Sequence, residues 1–292
     1  MELIEILKVI FLGIIEGITE WLPVSSTGHI LLAKSFFPLN AREELITVFL
    51  YVVQLGAILA VVLLFWNKLF PFSLTRETQS KTPAPATENR GKIRLFVEKD
   101  TFTLWGKILV ACIPAAVIGL LFDIPDNSLL IAIALIFYGV AFILMENWNK
   151  TREFQITTTS GITYKHALVI GLFQVVSIIP GTSRSGITIL AALLLGISRP
   201  AGAEFTFFLA IPVMVGASLI KTLDFIMEVG WFTGAELGYL FIGTLTAFAV
   251  SLLIIKFLMD FVKKHDFKIF GWYRIALGVL VIATLVLPPL FA

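Results

Sequence analysis

Six long apolar runs dominate this chain, and the first carries no charged residue between Leu45 and Asn67. A helix that crosses a bilayer needs about 20 mostly apolar residues. Stretches 45–66, 104–122, 128–145, 205–223, 237–259 and 273–290 meet that requirement and predict six transmembrane helices. Composition agrees: 58% of residues are hydrophobic and 14% are charged, against roughly 25% charged in a soluble domain. The net charge of +2 gives no reason to expect a nucleic-acid partner. The lone Cys112 lies in an apolar run and supports neither an internal disulfide nor a metal cluster. The first residues lack a basic segment followed by a cleavage site, so no removable signal peptide is expected.

Two further stretches are apolar but broken. Residues 3–33 are interrupted by Glu16, Glu20, Pro23 and Ser25-Ser26-Thr27-Gly28-His29, and residues 166–197 by Pro180, Gly181, Arg184 and Gly186. Irregular backbone at membrane depth persists only where protein or a water-filled cavity surrounds it. Both stretches therefore predict re-entrant helical hairpins, spanning 3–38 and 166–198.

Charge placement predicts the orientation. Loop 67–103 carries seven Lys/Arg, loop 146–166 three and loop 256–274 five, whereas the links 123–127 and 224–236 carry none. Alternating the loops across six spans puts every basic loop on one side, which should be cytoplasmic. Both termini then lie outside, and the hairpins enter from opposite faces. Loop 67–103 has linker composition and is expected to be mobile, with no catalytic part. Each half, 1–146 and 166–292, reads as a hairpin followed by three spans. A shift of 158 residues pairs Gly13 with Gly171, Ser25 with Ser183, Gly28 with Gly186, and Glu16 with Gln174. The expected fold is an all-α polytopic membrane protein built as an inverted-topology repeat, with broken helices meeting near the midplane.

The breaks concentrate the polar chemistry. Glu16 and Glu20, four apart, face the same side of a helix. Two carboxylates at membrane depth cost about 2.5–3.5 kcal/mol each on insertion scales, so a cation, an arginine or a proton should sit between them. Mg²⁺ or Ca²⁺ is the expected cofactor, because both prefer oxygen ligands. The bland alternative leaves both glutamates at the outer interface, in water. Ser25, Ser26 and Thr27 supply hydroxyls ahead of a new helix whose free N–H groups favour an anion. His29 is the one histidine inside a motif. In the second break Arg184 stands in an otherwise charge-free stretch from His166 to Arg199. Its planar fork suits phosphate, and Thr182, Ser183, Ser185 and Thr188 add hydroxyls. The alternative is an arginine that only neutralises a glutamate. Gln54, inside the first full span, either lines the site or satisfies a neighbouring helix. Lys107 is expected to snorkel to the interface.

This inventory suits phosphoryl transfer, which relies on positioning and charge stabilisation. A site among apolar spans implies a lipid with a phosphorylated head. The strings EGITEWLPVSSTGH and PGTSRSG resemble the two signature motifs of the undecaprenyl-diphosphate phosphatases, bacterial cell-wall enzymes of the bacitracin-resistance type. The resemblance extends to FLYVVQLGAILAVVLLFW and SRPAGAEFTFFLAIPVMVGA, and covers the chain apart from 71–100. It implies hydrolysis of undecaprenyl pyrophosphate to undecaprenyl phosphate and inorganic phosphate. It also implies a divalent metal, a plasma-membrane location, a site open to the outer face, and bacitracin tolerance. Carried over, the functional set is Glu16, Glu20, Ser26, His29, Ser183 and Arg184.

On this reading Ser26 attacks the terminal phosphorus with Glu20 or His29 as base, or a water activated by His29 attacks directly; the sequence leaves both open. Membrane lipids and the lipid substrate are the expected partners, and a homodimer is left open. The rival from another class is a polyprenyl-phosphate or anion transporter using the same repeat.

Overall fold

The computed structural model describes residues 2–76, 93–97, 99–122 and 124–288. All six anticipated spans are present as helices long and apolar enough to cross a membrane. They are α3 (Glu43–Leu64), α5 (Lys99–Leu121), α6 (Ser128–Asn149), α9 (Arg199–Glu228), α10 (Gly234–Phe261) and α11 (Lys268–Val281), the last reaching spanning length, Lys268–Val286, only with the turn that follows it. A π-helical turn, Ile282–Val286, continues α11. The broken stretches form two pairs of shorter helices, α1 (Leu3–Thr19) with α2 (Ser26–Phe36), and α7 (Tyr164–Gln174) with α8 (Arg184–Leu194). The chain is therefore an all-α, multi-pass membrane protein in its bulk.

Helix ends run past the anticipated apolar runs where charges find partners. α9 starts at Arg199 and ends at Glu228 rather than covering 205–223. Arg199 begins it by pairing with Glu146 of α6, a carboxylate with no exposed surface. Glu146 also accepts the Phe267 N–H at 3.1 Å, which ties α6, α9 and the start of α11 together. α11 similarly begins at Lys268, ahead of the apolar run at 273, and so takes Arg274 into its body.

Segment 67–103, expected as one loop, is structured at both ends. A short α4 (Trp66–Leu69) precedes strand β1 (Phe72–Arg76), which pairs antiparallel with β2 (Ile93–Val97) in the register Phe72 with Val97. Alternation of apolar and polar residues in FSLTR is the period-two signal of a strand. α5 already begins at Lys99. The remainder of the expected mobile loop, 77–92, lies outside the described residues. Lys107 reaches toward the 146–166 loop. Its ammonium turns onto the Ser160 carbonyl at 3.1 Å and is largely buried.

The helix contacts respect the proposed repeat. α1 packs on α10 as α7 packs on α5, while α3 meets its counterpart α9 and α6 meets α11. Small residues allow this close approach, as apolar bundles require. A Cβ added at Gly13 would stand 2.8 Å from the Gly243 carbonyl oxygen, and one at the equivalent Gly171 would stand 2.2 Å from that of Ala111. α8 is apolar on nearly every side, with Ile187, Ile189, Leu190, Ala191, Ala192 and Leu193 all buried, so it forms the centre of the main core with α9. Gly171→Val should cost about 1–3 kcal/mol through overpacking, seen as a lower thermal midpoint in detergent. Gly119→Val, where nothing lies within 4 Å, should leave the midpoint unchanged.

Candidate active site

The turns that join the short helices share one unusual backbone feature. Among the described residues, Ser25 (φ 74°) and Ser183 (φ 69°) are the non-glycine residues with positive φ, and they are the pair related by the repeat shift. Such conformations cost about 1–3 kcal/mol each and gather at functional sites. Each serine caps a short helix, so each bend aims a helix N-terminus, with its free N–H groups, at the interior. Chemistry then separates the halves. The Ser183 hydroxyl accepts the Gly186 N–H at 3.1 Å, closing its cap. The Ser25 hydroxyl is buried with no hydrogen-bond partner.

The two turns meet at one ion pair. Arg184 Nη2 donates to Glu20 Oε1 at 2.9 Å, with both side chains largely buried. Ser26 Oγ donates to the other oxygen, Glu20 Oε2, at 3.0 Å. Arg184 Nη1 donates to the Thr206 carbonyl at 3.3 Å, while its Nε–H is buried without a partner. Glu16, one helical turn before Glu20, has both carboxylate oxygens buried and unpartnered, although Glu20 and Gln54 lie beside it.

Glu20, Ser26 and Arg184 line a cavity of about 220 Å³, with Glu16 outside its lining, behind Glu20. The first turn gives it Glu20, Ser26 and Thr27; the second gives Ser177, Gly181, Ser183 and Arg184; α3 gives Tyr51 and Gln54. Ile179, Val213, Met214 and Ala217 form an apolar wall. Polar groups on one side and aliphatic groups on the other fit a head-and-tail ligand.

Not every residue singled out from the sequence reaches the cavity. Thr188 has no exposed surface; it back-bonds to the Arg184 carbonyl at 2.9 Å and pairs with Thr206 at 3.0 Å. Ser185 donates to the Glu20 carbonyl at 3.0 Å, stitching the second turn to the first. Thr182 and Ser25 are also buried behind the wall. These four were expected to meet substrate. The Ser185 and Thr188 hydroxyls instead bond the backbone of neighbouring turns, the usual resort of Ser and Thr at helix starts, while Ser25 and Thr182 are buried outside the cavity lining. His29 is likewise turned away. Its Nδ1 lies 2.7 Å from the Ser25 carbonyl, which only accepts, so Nδ1 carries the proton. Its Nε2 then accepts from the Tyr273 hydroxyl at 2.8 Å, and the rings stack at 5.6 Å.

One residue escaped the sequence reading. Arg274, counted there with a cytoplasmic basic loop, has no exposed surface. Its Nη2 donates to the carbonyls of Gly181 and Thr182, each at 2.9 Å, and its Nη1 to that of Pro23 at 3.3 Å. A single guanidinium thus holds both turns. The signal available was its position, one residue inside the last apolar run. Removing it leaves buried carbonyls unsatisfied at about 1–3 kcal/mol each, and lysine lacks the planar fork. Arg274→Lys should lower the thermal midpoint and reduce turnover about tenfold or more, measured on the same preparation.

The donor set suits a hard divalent cation. Glu16 offers two free carboxylate oxygens, Glu20 stands beside it, and Gln54 adds an amide oxygen. Among the described residues no group of three or more His, Cys, Asp or Glu comes together. A divalent cation bound there would take most of its ligands from water and substrate phosphate, as Mg²⁺ commonly does.

Comparison with known proteins places the chain in a family. The chain is 56% identical to a protein from Enterococcus faecalis named undecaprenyl-diphosphatase, over 97% of this chain and 98% of the relative. It is 52% identical to proteins of that name from Lachnoclostridium phytofermentans and, as undecaprenyl-diphosphatase 1, from Clostridium acetobutylicum; 96% and 97% of this chain and 97% and 98% of those relatives are covered. Residues 9–280 match the family described as Bacitracin resistance protein BacA, which takes in both turns, the cavity and Arg274, and the chain belongs to that family.

Proposed function

We infer that the protein hydrolyses undecaprenyl pyrophosphate to undecaprenyl phosphate and inorganic phosphate. This activity returns the lipid carrier to peptidoglycan synthesis and underlies bacitracin resistance. The observation that carries the reading is the convergence of Arg184, Glu20 and Ser26 in one cavity with an aliphatic wall. The transporter alternative draws no support from the names of the relatives.

Ser26 Oγ already donates to Glu20, so Glu20 is the group placed to take its proton. Oγ attacks the terminal phosphorus, and the bond from that phosphorus to the bridging oxygen breaks. Undecaprenyl phosphate leaves, receiving the proton from Glu20. Water then cleaves the phosphoserine and regenerates the hydroxyl. Arg184, its Nε–H unspent, meets the charge on the phosphoryl oxygens. His29 supports the first turn in this scheme rather than acting as base, because both ring nitrogens are engaged away from the cavity. Glu16 and Glu20 would hold a Mg²⁺ or Ca²⁺ ion, which supplies charge neutralisation to the pyrophosphate.

For orientation we propose the plasma membrane of a bacterium, both termini outside, the helix pairs α1–α2 and α7–α8 re-entrant, and the cavity open to the outer face. With Arg274 withdrawn from the count, Lys256, Lys263, Lys264 and Lys268 still mark their end of the bundle as cytoplasmic. Both sides of the cavity come from one chain, so hydrolysis requires no second copy, and homodimerisation stays a separate expectation.

Phosphate release from a polyprenyl pyrophosphate by purified protein in detergent tests the scheme. Arg184→Lys should lower kcat about 10²-fold or more, the scale for losing an anion-stabilising donor. Ser26→Ala should abolish a phosphoserine trapped by acid quench; full turnover in that variant would replace Ser26 by water as the nucleophile. EDTA should stop turnover, and added Mg²⁺ or Ca²⁺ should restore it; EDTA-insensitive turnover would remove the metal from the scheme.

A further inference from the structure

We propose that Lys221 is a substrate-binding residue: the cation at the mouth of the cavity that receives the pyrophosphate head before it reaches Arg184. The proposal rests on the reading that the head occupies the Glu20–Arg184 cavity.

α9 supplies Val213, Met214 and Ala217 to the cavity wall. Residues four apart on a helix stack on one face, so Lys221 continues the face that carries Ala217. It stands one turn further out, about 6 Å along the axis. The opposite wall at that level is α3. There the Ser218 hydroxyl donates to the Tyr51 carbonyl, locking α9 to α3 one turn beyond Ala217. Tyr51 itself lines the cavity, and the Lys221 ammonium lies 6.0 Å from the centre of its ring. Lys221 is half-buried, which suits a lysine whose stem packs on apolar surface while its ammonium stays beside the Tyr51 ring.

Charge accounting separates this lysine from an ordinary interfacial one. At the same end of the bundle, Lys8 is paired with Glu5 and Arg42 with Glu236. Among the described residues Lys221 has no ion pair and no side-chain hydrogen bond, even though Asp224 follows on the same helix. Deeper in, the Arg184 charge is already shared with Glu20, and Glu16 adds a further carboxyl. A pyrophosphate head carries more negative charge than that arrangement offsets, even with a divalent cation held by Glu16 and Glu20. A free ammonium one turn above the wall supplies the missing attraction, and the aromatic face beside it holds the ammonium without neutralising it. Charges at a rim act on capture rather than on chemistry, and salt screens them.

The test is steady-state kinetics on polyprenyl pyrophosphate in detergent for the wild type, Lys221→Met, Lys221→Glu and Lys221→Arg. Methionine keeps the apolar stem against Tyr51 and removes the charge. We expect KM to rise about tenfold in Lys221→Met and further in Lys221→Glu, with kcat within about twofold of wild type. Lys221→Arg should stay near the wild-type KM. Added salt should raise the wild-type KM more steeply than that of Lys221→Met. An unchanged KM in Lys221→Met, a fall in kcat alone, or equal salt slopes would overturn the proposal. Failure of the cavity assignment itself would show elsewhere, as retained kcat in Glu20→Gln and Arg184→Lys, so the two are told apart.

Discussion

Broken helices inside an apolar bundle strand their backbone carbonyls, and this architecture depends on satisfying them. Arg274 does so for Gly181, Thr182 and Pro23 at once. A buried guanidinium costs several kcal/mol to desolvate unless its donors are used; here three carbonyls use them, and the Tyr138 ring lies 5.8 Å away. The same contacts fix the distance between the turns. Because Glu20 follows α1 and Arg184 opens α8, the ion pair between them is set by that strap and by the Ser185 bond to the Glu20 carbonyl.

The Glu20–Arg184 pair is weak evidence of stabilisation in itself, since desolvation offsets most of the attraction in a buried pair. Its value lies in what it holds ready. Glu20 divides its two oxygens between Arg184 and Ser26, so one carboxylate orients both the anion-binding group and the hydroxyl. Glu16 beside it has neither. A buried carboxyl without a strong partner is expensive to keep, which is why Glu16 is the group proposed to meet a cation.

Much of this was legible in the sequence because the governing patterns are local. Apolar length alone located the six spans, and Glu16, Glu20 and Arg184 stood out by the absence of other charge around them. At the positions paired by the proposed repeat, Gly13 and Gly171 sit at close helix approaches and Ser25 and Ser183 at positive φ. What stayed hidden was direction. Thr188 and Ser185 share a motif with Arg184, yet helix geometry turns their hydroxyls onto backbone rather than into the cavity. His29 sits among hydroxyls in sequence, but Tyr273, far along the chain, takes its Nε2. Arg274 looked like one more loop cation because its acceptors are backbone atoms, which no residue pattern announces. The strand pair flanking 77–92 was missed for a related reason: its residues lie within a composition that reads as linker.

The ion pair between the repeats also bears on how the protein is made. Neither half contains a complete reactive centre, because carboxylate and hydroxyl lie on the first and the guanidinium on the second. A chain whose second half inserts with the wrong orientation, or has yet to be translated, is therefore inert toward the lipid pool around it. The division of labour means that a complete centre exists only once both halves have docked.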